Sequence, residues 1–173
     1  MTTVMLAILC LAVSASASEY PDLGQPLVDI DGLGKVLGIF KTSNVTQSKQ
    51  NVSAFLGVPY AKAPVKDLRW RLPQPHDPWP GIRSAQDYGN KCITAGGSKL
   101  SDDQDILLPV GQSEDCLMIN IFAPSAALKS SKKLPVMFWV HSGGYVAGSG
   151  NIEGENLVAS ANFNVVVVSI NYR

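Results

Sequence analysis

At 173 residues the chain is long enough for one ordinary domain, and 46% hydrophobic against 16% charged residues is a globular rather than a disordered composition. Fourteen basic and fourteen acidic residues cancel, and no basic run reaches five, so nothing points to nucleic acid or an anionic membrane surface as a partner.

The first eighteen residues carry no charged side chain, run apolar from Val4 to Val13, and end in Ala15-Ser16-Ala17, an A-x-A cleavage pattern. This predicts a signal peptide over 1–17 and a secreted chain from 18 onward. The apolar stretch is too short to span a bilayer, and no other uninterrupted apolar run approaches that length. Cleavage would remove Cys10 and leave Cys92 and Cys116, an even pair in an oxidising compartment. A disulfide across this 24-residue separation is expected to add roughly 3 kcal/mol on the chain-entropy model.

Leu27–Ile30 and Val36–Phe40 flank the turn dipeptide Asp31-Gly32, and Ala54–Val58 follows a polar insert; all three read as short antiparallel strands. The insert Thr42–Ser53 holds two glycosylation sequons, at Asn44 and Asn51, expected on an exposed hairpin loop. Pro73, Pro75, Pro78 and Pro80 surround Trp79 in a stretch that forms neither helix nor central strand, because each proline removes a backbone donor. An extended surface crossing fits it better than a polyproline ligand for a cytosolic domain. Between Cys92 and Cys116, Gly96-Gly97 and the aspartates 102, 103 and 105 read as a solvated loop, since calcium-loop alternation and its terminal glutamate are missing.

Cys116–Phe122 is a mostly apolar strand, followed by a loop or short surface helix over Pro124–Lys133. Val136–Val140 and Val165–Ile170 are continuous β-branched runs of the kind buried on both faces of a parallel sheet, with a short helix near Leu157–Ala161 between them. Strand, glycine loop, helix, strand predicts an α/β architecture.

The stretch Glu114-Asp-Cys-Leu-Met-Ile-Asn-Ile-Phe-Ala-Pro124 resembles the E-D-C-L-x-L-N signature of type-B carboxylesterases, the α/β-hydrolase group that includes cholinesterases, lipases and neuroligins. Phe55–Ala61, Leu68-Arg-Trp70, Leu134–His141 and Val165–Arg173 extend the resemblance, in order, over nearly everything after residue 17. It implies the N-terminal portion of an α/β-hydrolase fold, in which short antiparallel strands lead into a mixed, mainly parallel sheet. It also implies a serine hydrolase acting on small carboxylic esters without metal or organic cofactor.

Position by position, His141-Ser-Gly-Gly-Tyr145 matches the family's H-G-G-G-[FY] loop, so Gly143 and Gly144 are implied as backbone N–H donors to an oxyanion. Ser142 replaces the first glycine and adds a Cβ expected to restrict the loop. The family pattern pairs Cys92 with Cys116 and Arg69 with Glu114, both in structural roles. Residues Ile93–Asp115 hold no Phe, Tyr or Trp, which argues against choline esters and for neutral ones.

No G-x-S-x-G occurs, and the two histidines, His76 and His141, sit in the proline crossing and the glycine loop. Nucleophile, acid and base of the triad are therefore not found in these residues, and the chain alone is expected to be an inactive N-terminal fragment with an open sheet beside Val165–Ile170. The alternative is a non-catalytic, neuroligin-like adhesion protein on the same scaffold.

Overall fold

The computed structural model describes residues 24–48, 50–94 and 111–173. The segment 1–17, Gly96-Gly97 and the aspartates 102, 103 and 105 lie outside the described residues. Among the described residues the chain forms β1 (Leu27–Ile30), β2 (Gly34–Leu37), β3 (Ile39–Thr42), β4 (Asn51–Pro59), β5 (Ile82–Ser84), β6 (Met118–Pro124), β7 (Val136–Val140), α1 (Gly154–Ser160) and β8 (Val166–Ile170). Single 3-10 turns at Lys66–Leu68 and Ser125–Lys129 complete it.

Two sheets share these strands. β1 and β2 pair antiparallel around the Asp31-Gly32 turn, with Leu27 opposite Leu37, and β5 joins β2 in parallel. The second sheet runs β3-β4-β6-β8-β7, antiparallel except for the β7–β8 pair. The run expected as one strand from Val36 to Phe40 is divided at Gly38, and its halves enter different sheets. Gly38 lies so close to β4 that a Cβ there would stand 2.4 Å from the Ala54 carbonyl oxygen.

β4 is the central element. Between Phe55 and Val58 it advances three residues while β6 advances two, from Ile121 to Ile119. This is a β-bulge, and Gly57 carries it at φ +63°. The bulge changes side-chain parity. Val52, Ala54 and Leu56 face α1, packing with Phe122, Val158, Val165 and Val167, whereas Phe55 and Val58 both face the small sheet with Ile30, Val36 and Ala85. Gly154 lets α1 sit directly on Phe122, since a Cβ there would meet that ring at 2.3 Å.

The proline-rich crossing is irregular and largely exposed; Lys62 holds it through its N–H to Gln74 O and an ion pair with Asp77, and Trp79 anchors its far end. Trp79 donates its backbone N–H to Leu33 O and its indole N–H to Lys35 O, both at 2.9 Å.

Of the two β-branched runs, Val165–Ile170 is buried as expected and Val136–Val140 is not. β8 lies between β6 and β7, with both edges paired and Val167 fully buried. The open edge belongs to β7, where Val136, Met137, Phe138 and Val140 are 40–54% exposed. The expectation of an open side beside Val165–Ile170 is thus corrected: crossing through α1 places β7, the earlier strand, outside β8. Among the described residues, no helix is long and apolar enough to cross a membrane.

Candidate functional site

The glycine loop leaves the end of β7 and returns to the end of β8. His141 opens it with a side chain packed inward: the ring is buried and stacked on Tyr172 at 4.3 Å between centroids, and its Nδ1 lies 3.0 Å from Ser142 O. Tyr172 also donates its hydroxyl to His141 O at 2.8 Å. Gly148 closes over the same ring, where a Cβ would stand 2.3 Å from Nδ1. His141 is therefore held as a packing element at the loop entrance.

The turn itself is built on left-handed backbone. Gly143, Gly144 and Tyr145 have φ of +136°, +59° and +63°. Gly143 O accepts the N–H groups of Val146 and Ala147, both at 3.1 Å, so the turn closes on itself. This closure requires glycine: a Cβ on Gly143 would stand 1.9 Å from Ala147 O, whereas one on Gly144 meets nothing within 4 Å. Among the described residues, no protein acceptor takes the N–H of Gly143 or Gly144. Two successive N–H groups without a protein acceptor, on positive-φ backbone, are the kind of arrangement that can donate to an anion. Ser142 is exposed and lacks positive φ, so its Cβ fits without crowding the turn. Tyr145 is 94% exposed beside it.

The loop ends at Gly150, whose peptide is held on both sides. Asn171 Oδ1 accepts Gly150 N–H at 2.6 Å, while Ser169 Oγ and Asn120 Nδ2 donate to Gly150 O at 2.6 and 3.0 Å. Asn120 Oδ1 also accepts Gly57 N–H at 2.9 Å, linking the loop to the β4 bulge. Tyr60 donates to Asn171 O at 2.8 Å; burial pushes its hydroxyl up to about 12, against a smaller opposite effect of Arg173, so it remains a donor at neutral pH. The sequence reading missed Asn120, Ser169 and Asn171. Their signal was polar residues inside otherwise apolar strands.

Cys92 and Cys116 form a disulfide with Cα atoms 5.0 Å apart. Arg69 donates Nε and Nη2 to the two carboxylate oxygens of Glu114 at 2.6 and 2.5 Å, just before Cys116. The guanidinium's hydrogen bonds hold the Glu114 carboxyl below the ordinary carboxylate range and raise Arg69 in turn. Arg173 donates to Arg71 O at 2.6 Å, tying the end of β8's exit to the same crossing.

Asn44 is exposed in the β3–β4 loop, where its N–H and the Ser43 hydroxyl both donate to Asn156 Oδ1. Asn51 is exposed at the first position of β4, while Ser53 of its sequon is buried against Ser125 Oγ at 2.8 Å. His76 lies in the crossing, 5.6 Å from the Trp79 ring. Among the described residues, no group of three or more His, Cys, Asp or Glu is placed to hold a metal ion.

The sequence profile described as "Carboxylesterase family" matches residues 24–173. The chain belongs to the carboxylesterase family. It is 44% identical over 170 residues to Carboxylesterase 1C of Mus musculus, covering 93% of this chain and 30% of that protein. Pyrethroid hydrolase Ces2a of Mus musculus is 39% identical over 143 residues, covering 81% and 25%. Among solved structures, juvenile hormone esterase from Manduca sexta, with OTFP covalently attached, superposes with a TM-score of 0.69 at 30% identity, covering 86% of this chain and 26% of that one. EstA of Aspergillus niger gives 0.67 at 33% identity over the same shares. The chain thus spans about 30% or less of the length of these carboxylesterase relatives. Its fold is part of an α/β-hydrolase fold.

Proposed function

We propose that these residues supply the oxyanion-binding portion of a secreted carboxylic ester hydrolase. The supporting observation is the adjacent pair of unpartnered N–H groups at Gly143 and Gly144, on a loop fastened at both ends, in a carboxylesterase chain. In the reaction, a serine hydroxyl attacks the ester carbonyl while a histidine takes its proton. The carbonyl oxygen becomes negative, and the two glycine amides donate to it. Such preorganised donors are worth on the order of 3 kcal/mol each, because their dipoles need not reorient as charge develops. The serine and the histidine base are assigned to neither Ser142 nor His141, since the latter is stacked on Tyr172 and turned into the loop. Neutral carboxylic esters are the proposed substrates.

Secretion rests on the apolar segment 1–17, and oxidation of Cys92 with Cys116 agrees with that compartment. Asn44 and Asn51 are the proposed glycan acceptors, both exposed; Ser53 is buried once β4 pairs, so Asn51 takes its glycan before folding.

The test is hydrolysis of a p-nitrophenyl ester by the full natural protein carrying these residues. Turnover blocked by a serine-directed organophosphate is the expected result. Absence of turnover in a folded, soluble preparation sinks the hydrolase reading and favours an adhesion role. Residues 18–173 alone should show no organophosphate-sensitive turnover.

A further inference from the structure

Loop 141–150 does not hold its own shape: apart from the Gly143 turn, its ends are fixed by side chains from other elements. The exit is the more unusual. Ser169 is fully buried and Asn120 and Asn171 are 1% exposed, and all three converge on the backbone N–H and C=O of Gly150. Asn120 and Ser169 also touch each other at 3.3 Å. Polar side chains inside a sheet are costly unless their hydrogen bonds are met, and here, apart from that Asn120–Ser169 contact, they are directed at backbone. Asn120 reaches the β4 bulge through Gly57 N–H, and Asn171 Nδ2 reaches Asn90 O at 2.9 Å. Gly150 itself admits no side chain, because a Cβ would stand 2.5 Å from the Ile170 carbonyl. Side chains from β6, from β8 and from the residue just beyond β8 thereby fix the two peptide groups that flank Gly150 Cα, six residues beyond Gly144.

We propose that Asn120, Ser169 and Asn171 are positioning residues for the oxyanion loop, acting through Gly150 to keep the Gly143 and Gly144 N–H groups aimed at one point. This rests on the hydrolase reading for its catalytic meaning, although the clamp itself is a property of the loop. The physical argument is preorganisation: donors that wander must be reordered as the transition state forms, and small misplacements are expensive. Sequence neighbours 141–150 alone cannot provide this, since four of the ten residues are glycine.

The test uses the full natural protein and two variants, Ser169→Ala and Val167→Ala. Ser169→Ala removes the 2.6 Å donor to Gly150 O while Asn120 still satisfies that oxygen, so the fold survives. Val167 is equally buried on the same strand but belongs to the apolar cluster with Val158 of α1 and has no polar atom to hold Gly150, so it serves as the structural control. For Ser169→Ala, kcat for a p-nitrophenyl ester should fall about tenfold with KM within about twofold, and amide exchange should quicken in 141–150 only. For Val167→Ala, the thermal midpoint should fall with kcat and loop exchange unchanged. If Ser169→Ala instead behaves like Val167→Ala, the proposal is overturned. A wild-type protein without turnover defeats the hydrolase reading and leaves exchange to decide: faster exchange in 141–150 upholds the clamp, and unchanged exchange overturns it.

Discussion

Gly143 and Gly144 are neighbours with the same inferred task, yet their surroundings differ. At Gly143 an added Cβ would strike Ala147 O, and φ +136° is nearly closed to other residues. At Gly144 there is space, and φ +59° is the left-handed well that an L-residue enters for roughly 1–2 kcal/mol. If the proposed hydrolase function holds, Gly143→Ala should therefore lower kcat of the full natural protein by about 100-fold or more, and Gly144→Ala by about tenfold. Steady-state rates with a p-nitrophenyl ester check this, and the reverse order would refute the geometry. The Arg69–Glu114 pair gives a second residue-scale expectation. Because the folded Glu114 carboxyl is held below its ordinary value, its stabilising effect is present above about pH 4.3, the unfolded value, and is lost as pH falls through the depressed folded value. The difference in thermal midpoint between wild type and Glu114→Gln should accordingly be greatest near neutrality and vanish in acid. High salt should reduce it too, since both partners face water.

Among the secondary elements, β4 decides the architecture, and its bulge makes a sharp stability test. Gly57→Ala would place a Cβ 2.6 Å from Gly89 N and 2.7 Å from Asp87 O on left-handed backbone. Strain plus overpacking should cost about 2–4 kcal/mol, read as a lowered denaturant midpoint with unchanged slope in the complete protein. The existence of this strand was legible in Ala54–Val58, but the bulge was not, because it depends on how β6 pairs with it more than sixty residues away. Pairing with other strands also hid the division at Gly38, where β2 joins β5 and β3 joins β4 although the two half-strands look continuous in sequence. At the site, the glycine loop was readable because its residues are consecutive and fit a family pattern. Asn120, Ser169 and Asn171 were not, since their meaning comes from meeting Gly150 from β6, from β8 and from just beyond β8. Their burial contradicts the polar character of each residue taken singly, and only the shared target explains it.

At the scale of the whole molecule, the five-stranded sheet is finished on one side and unfinished on the other. α1 covers β4, β6 and β8 on one face, and the small sheet covers the opposite face of β4 and β6. β7 has a single strand neighbour, and Val136, Met137, Phe138 and Val140 alternate across its two faces, so both faces and one edge present apolar surface to water. A strand of this composition normally lies in a sheet interior, and an uncovered edge of this kind invites pairing between chains. Expressed alone, residues 18–173 should therefore self-associate, eluting as a broad high-mass species in size-exclusion chromatography with light scattering. Replacing Phe138 and Val140 with lysine should reduce that association, because each charge would have to be desolvated in a strand–strand contact. The double variant leaves the Gly150 clamp untouched, so amide protection of β4 and β6 should persist while association falls. A monodisperse wild-type chain with one sharp thermal transition would show that the β7 edge is tolerated as it stands.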